Sequence, residues 1–216
     1  MKPSHHPNDE TLARFAAATL DEGARLVIGA HLVFCAQCHE TVKTLEAVGG
    51  ALLDSLDPTL MAADAFASVL QRLDLPSQLA AARASAPREL VPGLVLPDIL
   101  GTREIGAWRT LAPGLKMSRI KTHDPDGLNV FFLRAAPGMS LMEHGHEGDE
   151  YICVLKGAFV DQGGRHGPGD MAIADANVMH TPRVEMEDEC ICLVALEGKL
   201  RLKSLLGRVL QPVFGI

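Results

Sequence analysis

The stretch GMSLMEHGHEGDEYICVLKG, residues 138–157, sets two histidines and a glutamate between glycines. His144 and His146 are two residues apart, so on a strand their side chains point to the same face. Glu150 follows four residues later, at the start of a more apolar segment, and His180 comes 30 residues after it. Three imidazoles and one carboxylate that converge inside a barrel would form a site for a divalent metal.

The spacing of this stretch resembles the first sequence motif of the cupins, which fold as jelly-roll β-barrels. The matching anchors are separated by five, one, three and six residues, and they are Gly138, His144, His146, Glu150 and Gly157. The resemblance implies a cupin fold for the C-terminal part of the chain.

The second cupin motif is only partly present. Pro168, Gly169 and Asp170 fit it, and so does His180. Residues 175–177 replace the usual Pro-x-Gly before the histidine, and no asparagine follows it. These departures concern the shape of the loop more than the metal ligand. The alternative interpretation is a barrel that has kept these residues without binding a metal.

Residues after about Asp98 alternate between short apolar segments and turn signals such as Pro-Gly and Gly-Gly. Many short strands at even spacing are typical of a β-sandwich or a barrel. The predicted strands are Trp108–Leu111, Lys116–Ile120, Asn129–Arg134, Glu150–Leu155, Ala158–Asp161, Met171–Ile173 and Ile191–Leu196.

A second group of candidate ligands lies in HLVFCAQC, residues 31–38. On a helix His31, Cys35 and Cys38 share one face, because they are four and then three residues apart. One imidazole and two thiols provide three of the four ligands that a structural zinc site requires. The alternatives are two buried core thiols and a redox CxxC pair.

The fourth ligand should come from the N-terminal tail, which can fold back over the junction of the second and third helices. His5 and His6 are the candidates, and we favour His6. The alternative is that both histidines belong to a solvated tail. A bound zinc ion would also staple a helical region that has only a modest core. His39 points away from the ligand face and is expected to be exposed.

Four helices are predicted before residue 75, each from an apolar stripe at helical spacing. The first covers residues 8–20, with Asn8 or Asp9 as its N-cap. The next two cover residues 22–34 and 36–53, and Asp57-Pro58 begins a fourth because proline is tolerated in the first helical turn. The residues expected to point inward are Leu12, Phe15, Ala16, Leu20, Leu26, Val27, Ala30, Val33 or Phe34, Val42, Leu45, Val48, Leu52, Phe66, Val69, Leu70 and Leu73.

The predicted fold class is α+β with two domains. A small all-α zinc-binding helical bundle covers residues 1–75, and a cupin domain covers residues 98–216. Residues 76–97 read as a linker, because this segment contains several prolines and no clean period.

The composition is that of an ordinary globular protein, with 216 residues, 47% apolar, 22% charged and a formal net charge of −7. The negative charge argues against nucleic acid as a direct partner and mildly favours a basic protein partner. No apolar run is long enough to span a membrane, and residues 1–10 lack the apolar segment of a secretory signal. We therefore expect a cytoplasmic protein, whose five cysteines serve metal binding or sensing rather than disulfides.

The remaining cysteines and histidines have simpler interpretations. Cys153 lies on an apolar strand and is expected in the core. Cys190 and Cys192 are two residues apart on a strand, where packing is favoured over a redox pair. His123 and His166 stand in turn-like segments and are expected to be solvated.

With both groups of ligands established, the sequence resembles the ChrR-type cupin anti-sigma factors, members of the zinc-binding anti-sigma group. The resemblance rests on the HxxxCxxC of residues 31–38, the AVGG of residues 47–50 and the cupin motif of residues 138–157. The Cys-Ile-Cys of residues 190–192 and the closing VFGI of residues 213–216 also fit, so the resemblance covers nearly the full chain.

This resemblance implies a function and two metal sites. The N-terminal helices would wrap an extracytoplasmic-function sigma factor in a 1:1 complex and block its contact with RNA polymerase. The cupin would bind a second zinc and take part in the response to singlet oxygen or organic hydroperoxides, after which the sigma factor transcribes protective genes. The implied zinc ligands are His6, His31, Cys35 and Cys38 in the helices, and His144, His146, Glu150 and His180 in the cupin.

The competing function is a metal-dependent cupin enzyme, such as a dioxygenase or an isomerase. Three histidines and a glutamate also suit iron, manganese or nickel, which act in such enzymes. The N-terminal ligands and the scarcity of acid–base residues around the motif argue against it, so no catalytic residue is predicted. Two zinc ions per chain without oxygen consumption would favour the regulator, and redox-active iron would favour the enzyme.

Overall fold

The computed structural model describes residues 2–73, 89–101, 103–124 and 126–202. The helices come first in the chain, and the strands follow. The helices are α1 Asp9–Ala16, α2 Glu22–Phe34, α3 Ala36–Asp54 and α4 Ala65–Leu73. The first half of the predicted linker and the closing VFGI lie outside the described residues.

Side-chain caps fix the N-terminal ends of the first three helices. Asn8 accepts a hydrogen bond from the amide of Thr11 at 2.8 Å, which confirms it as the N-cap of α1. Asp21 caps α2 in the same way through the amide of Gly23. Cys35 ends α2 and begins α3, and its sulfur accepts a hydrogen bond from the amide of Cys38 at 3.4 Å.

Helix α4 begins at Ala65, so the prediction that it begins at Asp57-Pro58 was wrong. Proline permits a helical first turn at that point but does not stabilise it. All side chains of residues 55–64 are exposed. A short helix is marginal in water unless it packs against something, and this segment has no such contact within the described chain.

The apolar stripes were predicted correctly for α1 and for most of α2. Leu12, Leu26, Val27 and Ala30 are all buried, and so is Val42 in the first half of α3. The prediction was wrong for the second half of α3 and for α4, where the apolar stripe faces solvent. The exposed residues that were expected to point inward are Val33, Phe34, Val48, Leu52, Phe66, Val69, Leu70 and Leu73.

The described residues contain thirteen strands. The seven predicted strands are all present to within one residue at each end. The other six are only two or three residues long and carry no recognisable alternation. In chain order the strands are β1 Glu89–Val91, β2 Leu94–Val95, β3 Arg109–Ala112, β4 Leu115–Ile120, β5 Asn129–Ala135, β6 His144–His146, β7 Glu150–Lys156, β8 Phe159–Asp161, β9 Gly164–His166, β10 Met171–Ala174, β11 Arg183–Val184, β12 Cys190–Leu196 and β13 Leu200–Leu202.

Antiparallel pairing joins these strands into a barrel-like arrangement. The largest sheet has six strands in the order β10-β7-β12-β5-β4-β3. A three-stranded sheet, β11-β8-β9, and the β13-β6 pair contribute residues to the same interior apolar cluster as the large sheet. The topology agrees with the predicted cupin fold.

The segment immediately before the barrel is ordered against it. Strands β1 and β2 form a hairpin inside the region that the sequence placed in the linker. Val91, Leu96 and Leu100 are buried there, the last two in the same core cluster as α2. The second half of the predicted linker therefore contributes to the core.

Helix α2 packs directly on the outer face of the six-stranded sheet. Val27 and Ile28 of the helix are fully buried in one cluster with Phe132, Cys153 and Leu193 of the sheet. Successive strand residues point to opposite faces, so the other face of the same strands lines the interior of the barrel. The helical region and the barrel therefore share a core. No helix in the described chain is both long and apolar enough to cross a membrane.

Candidate metal centres

The four predicted cupin ligands converge inside the barrel. His144 and His146 lie on β6, Glu150 begins β7, and His180 is held opposite His144 by two backbone hydrogen bonds. One ligand atom from each of the four lies within 4.8 Å of the others. The Nε2 atoms of His144 and His180 are 3.0 Å apart, and the Nε2 of His146 is 3.1 Å from a carboxylate oxygen of Glu150. None of the four residues is more than 6% exposed.

Neighbouring acceptors determine which ring nitrogen faces the centre. The Nδ1–H of His144 donates to the carbonyl oxygen of Met142 at 2.8 Å. The Nδ1–H of His180 donates to the carboxylate of Asp161 at 3.3 Å. An imidazole that donates through Nδ1 presents the lone pair of Nε2, which is the arrangement that metal-binding histidines use.

The unpaired polar atoms of this cluster fit a cation. Although the Nε2 of His146 and a carboxylate oxygen of Glu150 are only 3.1 Å apart, neither forms a hydrogen bond with the other or with another described residue, and both are buried. Such a group costs about 1–3 kcal/mol when it is left unsatisfied. Burial also lowers the pKa of His144, which keeps its ring neutral and able to bind a metal. A divalent ion between the four side chains would satisfy the Nε2 of His146 and the oxygen of Glu150, whereas the buried Nδ1 of His146 would keep no partner among the described residues.

The second cluster forms where the N-terminal tail crosses the junction of α2 and α3. Its members are His6 of the tail, His31 in the last turn of α2, and Cys35 and Cys38 at the start of α3. The Nδ1 of His6 lies 3.4 Å from both sulfur atoms. Each of the four again offers one ligand atom within 4.8 Å of the others.

His31 is oriented by the barrel rather than by the helices. Its Nδ1–H donates to the carbonyl oxygen of Gly169 at 2.6 Å, so its Nε2 lone pair points to the two thiols. That Nε2 is buried and has no hydrogen-bond partner within the described ranges. Burial lowers the pKa of His31, so the ring is neutral near pH 7.

The chemistry of the thiols also suits a metal. Burial and the neighbouring thiol of Cys35 raise the pKa of Cys38 to about 12, so in the absence of a cation this thiol stays protonated. A divalent metal reverses this preference, because thiolate is the form that coordinates it. Two nitrogens and two sulfurs are the ligand set of a tetrahedral structural zinc site.

The other four histidines lie outside the two clusters. His5 does not join the cysteines, and it lies against His166 with ring centroids 4.3 Å apart. His39 is exposed, as expected, and the side chain of His123 is 84% exposed. The expectation that His166 is solvated was wrong, because its ring is buried between His5 and Phe159. A turn-like sequence carried no signal of this tertiary packing.

The three cysteines outside the second cluster are buried and free. Cys153 belongs to the core between α2 and the sheet, as predicted. Cys190 and Cys192 face the barrel interior with their sulfur atoms 3.6 Å apart. The hydrogen bond with Cys190, together with burial, raises the pKa of Cys192 well above its ordinary value.

Comparison with known proteins agrees with this arrangement. The ChrR Cupin-like domain family matches residues 98–199. The anti-sigma-E factor ChrR of Cereibacter sphaeroides is 38% identical over 218 residues, which cover 100% of both chains. A chain in the crystal structure of Rhodobacter sphaeroides SigE in complex with the anti-sigma ChrR matches with a TM-score of 0.75 and 34% identity. That match covers 91% of this chain and 100% of the other.

The fold and the ligand clusters place the chain among the cupin-like proteins, with helices that carry a His/Cys cluster before the barrel. Within that class the chain belongs to the ChrR family of anti-sigma factors. The resemblance seen in the sequence is thereby confirmed. The matched relatives are named as regulatory proteins, so the regulator is supported over the competing enzyme.

Proposed function

We propose that this chain is a zinc-dependent anti-sigma factor that binds one extracytoplasmic-function sigma factor and keeps it from RNA polymerase. The observation that carries this proposal is an exposed apolar surface, named here the α3–α4 surface. Its side chains are each at least 47% exposed, and they are Val48, Leu52, Leu53, Leu56, Leu60, Met61, Phe66, Val69, Leu70 and Leu73. Large apolar side chains exposed in such number along one segment are typical of an interaction site.

Helix α4 is the clearest sign that this surface needs a partner. None of its residues is buried, although its apolar side chains fall along one stripe. A nine-residue helix of this kind is marginal by itself in water. Amphipathic helices that lay an apolar face into a groove of another protein are a common binding mode. The relative whose structure matches this chain, the anti-sigma ChrR, was crystallised in complex with SigE.

The proposed ligands of the two zinc ions are the members of the two clusters, His6, His31, Cys35 and Cys38, and His144, His146, Glu150 and His180. Zinc supplies a fixed tetrahedral geometry and stabilises the thiolates. The N-terminal ion would tie the tail to α2 and α3, and thereby hold the helices that present the α3–α4 surface. Zinc at the cupin is proposed because this family implies it, since three histidines and a carboxylate also suit other divalent metals.

Each of the three predicted segments of the chain has its own proposed role. Residues 1–75 would bind the sigma factor, residues 98–216 would form the sensing cupin, and residues 76–97 would connect them. A protein that captures sigma factors would act in the cytoplasm, where RNA polymerase works. Its proposed signal is oxidative stress, through singlet oxygen or organic hydroperoxides.

Two proposed triggers for release of the sigma factor can be distinguished by experiment. Metal-bound thiolates are readily oxidised, so oxidation at Cys35 and Cys38 would loosen the sigma-binding helices. Alternatively, the cupin metal responds and the barrel passes the change to the helices. In the second case His144→Ala would bind the sigma factor normally and fail to release it under oxidant, whereas in the first case release would persist.

The test of the proposed function is co-purification with the sigma factor encoded beside this chain. We expect a 1:1 complex with two zinc ions per anti-sigma chain. Phe66→Asp combined with Leu70→Asp should abolish the complex and leave both zinc ions bound. The matched control is Gln71→Asp, on the polar side of the same helix. A chain that ignores the sigma factor and carries redox-active iron would contradict the proposal.

A further inference from the structure

One hairpin of the barrel contacts both clusters. It consists of β8, β9 and the turn of residues 167–170, and we name it the bridging hairpin. At its first strand Asp161 accepts a hydrogen bond from the Nδ1–H of His180 at 3.3 Å. The other carboxylate oxygen of Asp161 accepts from the Nε2–H of His166, also at 3.3 Å. The side chain of Asp161 is only 8% exposed, so water competes little with these two bonds.

The contact continues from His166 to the N-terminal tail. The ring of His166 stacks on Phe159 at 4.8 Å and lies against the ring of His5 at 4.3 Å. His5 immediately precedes His6, which belongs to the other cluster. An unbroken series of side chains therefore joins a cupin ligand to the residue beside an N-terminal ligand.

The turn of residues 167–170, which follows β9, also holds the N-terminal cluster, partly through its backbone. Asp170 accepts hydrogen bonds from the amides of Ser4 at 2.5 Å and His5 at 2.9 Å, and the amide of Met171 donates to the carbonyl of His5 at 3.1 Å. The carbonyl of Gly169 orients His31. Two of the four N-terminal ligands thus depend on this one turn for their position.

We infer that the bridging hairpin couples the two metal centres, and that Asp161 is the positioning residue for this coupling. The inference rests on the proposed function, because it requires that both clusters bind a metal. With a metal bound at its Nε2, the ring of His180 would be fixed, and its Nδ1–H would then fix Asp161 and, through it, His166 and the tail. Without the cupin metal, the ring of His180 keeps only its contacts with His144 and Asp161, so this series has a less firmly fixed end. By linkage, each metal then raises the affinity of the chain for the other.

The test measures metal affinity at the N-terminal cluster in protein with and without a functional cupin site. The probe is Co²⁺, because only the N-terminal cluster has thiolates, and their charge-transfer band reports that cluster alone. Titrations compare the wild-type chain, His144→Ala, Asp161→Asn and the double variant. We expect His144→Ala to weaken N-terminal Co²⁺ binding about fivefold or more. The same change should have no effect when Asp161→Asn is already present.

Two further variants make the result specific to the side-chain series. His5→Ala removes the ring contact of a half-exposed tail residue, so it should fold normally and also abolish the effect of His144→Ala. Gln162→Ala, at the exposed tip of the same hairpin, should leave the coupling intact.

The possible failures are distinguishable. N-terminal Co²⁺ affinity that ignores His144→Ala would overturn the coupling, while the proposed function would stand. Coupling that persists in both Asp161→Asn and His5→Ala would show that it passes through the shared core under α2 instead. Absence of the thiolate band from the wild-type chain would count against the N-terminal metal site itself.

Discussion

In each of the two clusters the ligand atoms lie within 4.8 Å of one another. The backbone elements that hold the ligands are very different. The cupin ligands stand on or beside strands of one barrel, where antiparallel backbone bonds hold His144 opposite His180. The N-terminal ligands come from a tail without regular structure and from the junction of two helices, and His31 is oriented by a barrel carbonyl. The barrel therefore supplies a preformed arrangement of ligands, whereas the N-terminal cluster would depend on the proposed metal and on the bridging hairpin for its assembly.

The largest expected effect comes from removing the N-terminal thiols. Zinc contributes about 10–16 kcal/mol to the folding of small zinc domains, so Cys35→Ser combined with Cys38→Ser should lower sigma affinity at least ~100-fold. Binding can be measured by calorimetry with the purified sigma factor. His144→Ala serves as the comparison, because a preformed barrel should retain its fold and leave sigma binding largely intact. Equal losses in the two variants would refute the difference in support.

A smaller effect is expected from Gly169→Ala in the bridging hairpin. Gly169 has φ +87°, and an added Cβ would lie 2.5 Å from the Cβ of Phe34 and 2.8 Å from the Cγ of Pro3. The backbone conformation alone costs about 1–2 kcal/mol for a residue with a side chain, and the clash would push the turn away from His31. We expect a lower melting temperature and weaker N-terminal metal binding.

The matched control is Gly93→Ala in the β1–β2 hairpin. Gly93 has φ +81°, and its Cβ would meet no atom within 4 Å. This variant carries the backbone cost without the clash, so N-terminal metal affinity should be unchanged. If both alanines weaken metal binding equally, the contact of Gly169 with the helices is not what positions the cluster.

The pH dependence of metal binding should also separate the two sites. Zinc must displace the proton of Cys38, whose pKa is raised to about 12 in the metal-free protein. Metal and proton compete for the sulfur, so raising the pH favours the metal, by about tenfold per pH unit for each proton released. The cupin ligands include no thiol, and a shallower slope is expected there. Co²⁺ titrations between about pH 6.5 and 8 measure both slopes, and parallel slopes would contradict the prediction.

The smallest effect is expected at the cap of α1. Asn8→Ala removes the bond to the amide of Thr11 and should cost about 1 kcal/mol. Because Asn8 lies two residues after His6, the loosened tail should lose metal affinity by a few-fold. Thr44→Ala, at an exposed position of α3, is the control. An unchanged affinity in Asn8→Ala would mean that the tail is held by the hairpin alone.

Much of the fold could be predicted from the sequence, because the sequence patterns that indicate it are local. The cupin anchors, the caps at Asn8 and the junction at Cys35 each act over a few residues, and the corresponding elements were predicted closely. Hydrophobic periodicity predicted burial wrongly at Val48, at Leu52 and along α4. The reason is that an apolar stripe that binds a partner has the same residue spacing as one that packs in a core. These errors coincide with the α3–α4 surface.

The candidate ligands were predictable for a similar reason, since metal-binding spacing is local within each motif. Joining His6 to the cysteines required a guess between two adjacent histidines. What the sequence could not show was the environment of the ligands. The roles of Asp161, His166 and the carbonyl of Gly169 arise only when distant segments meet, and His166 was consequently placed in solvent.

One residue, Cys35, separates the helix that adheres to the barrel from the helix that leads to the α3–α4 surface. Helix α3 has 19 residues and is therefore about 28 Å long. With the proposed metal bound to Cys35, this helix would act as a lever with its fulcrum at that residue. A rotation of only about 10° at that fulcrum displaces the far end by roughly 5 Å, a full helical turn's rise. A change confined to a few atoms around the proposed metal would thus be enough to move the α3–α4 surface.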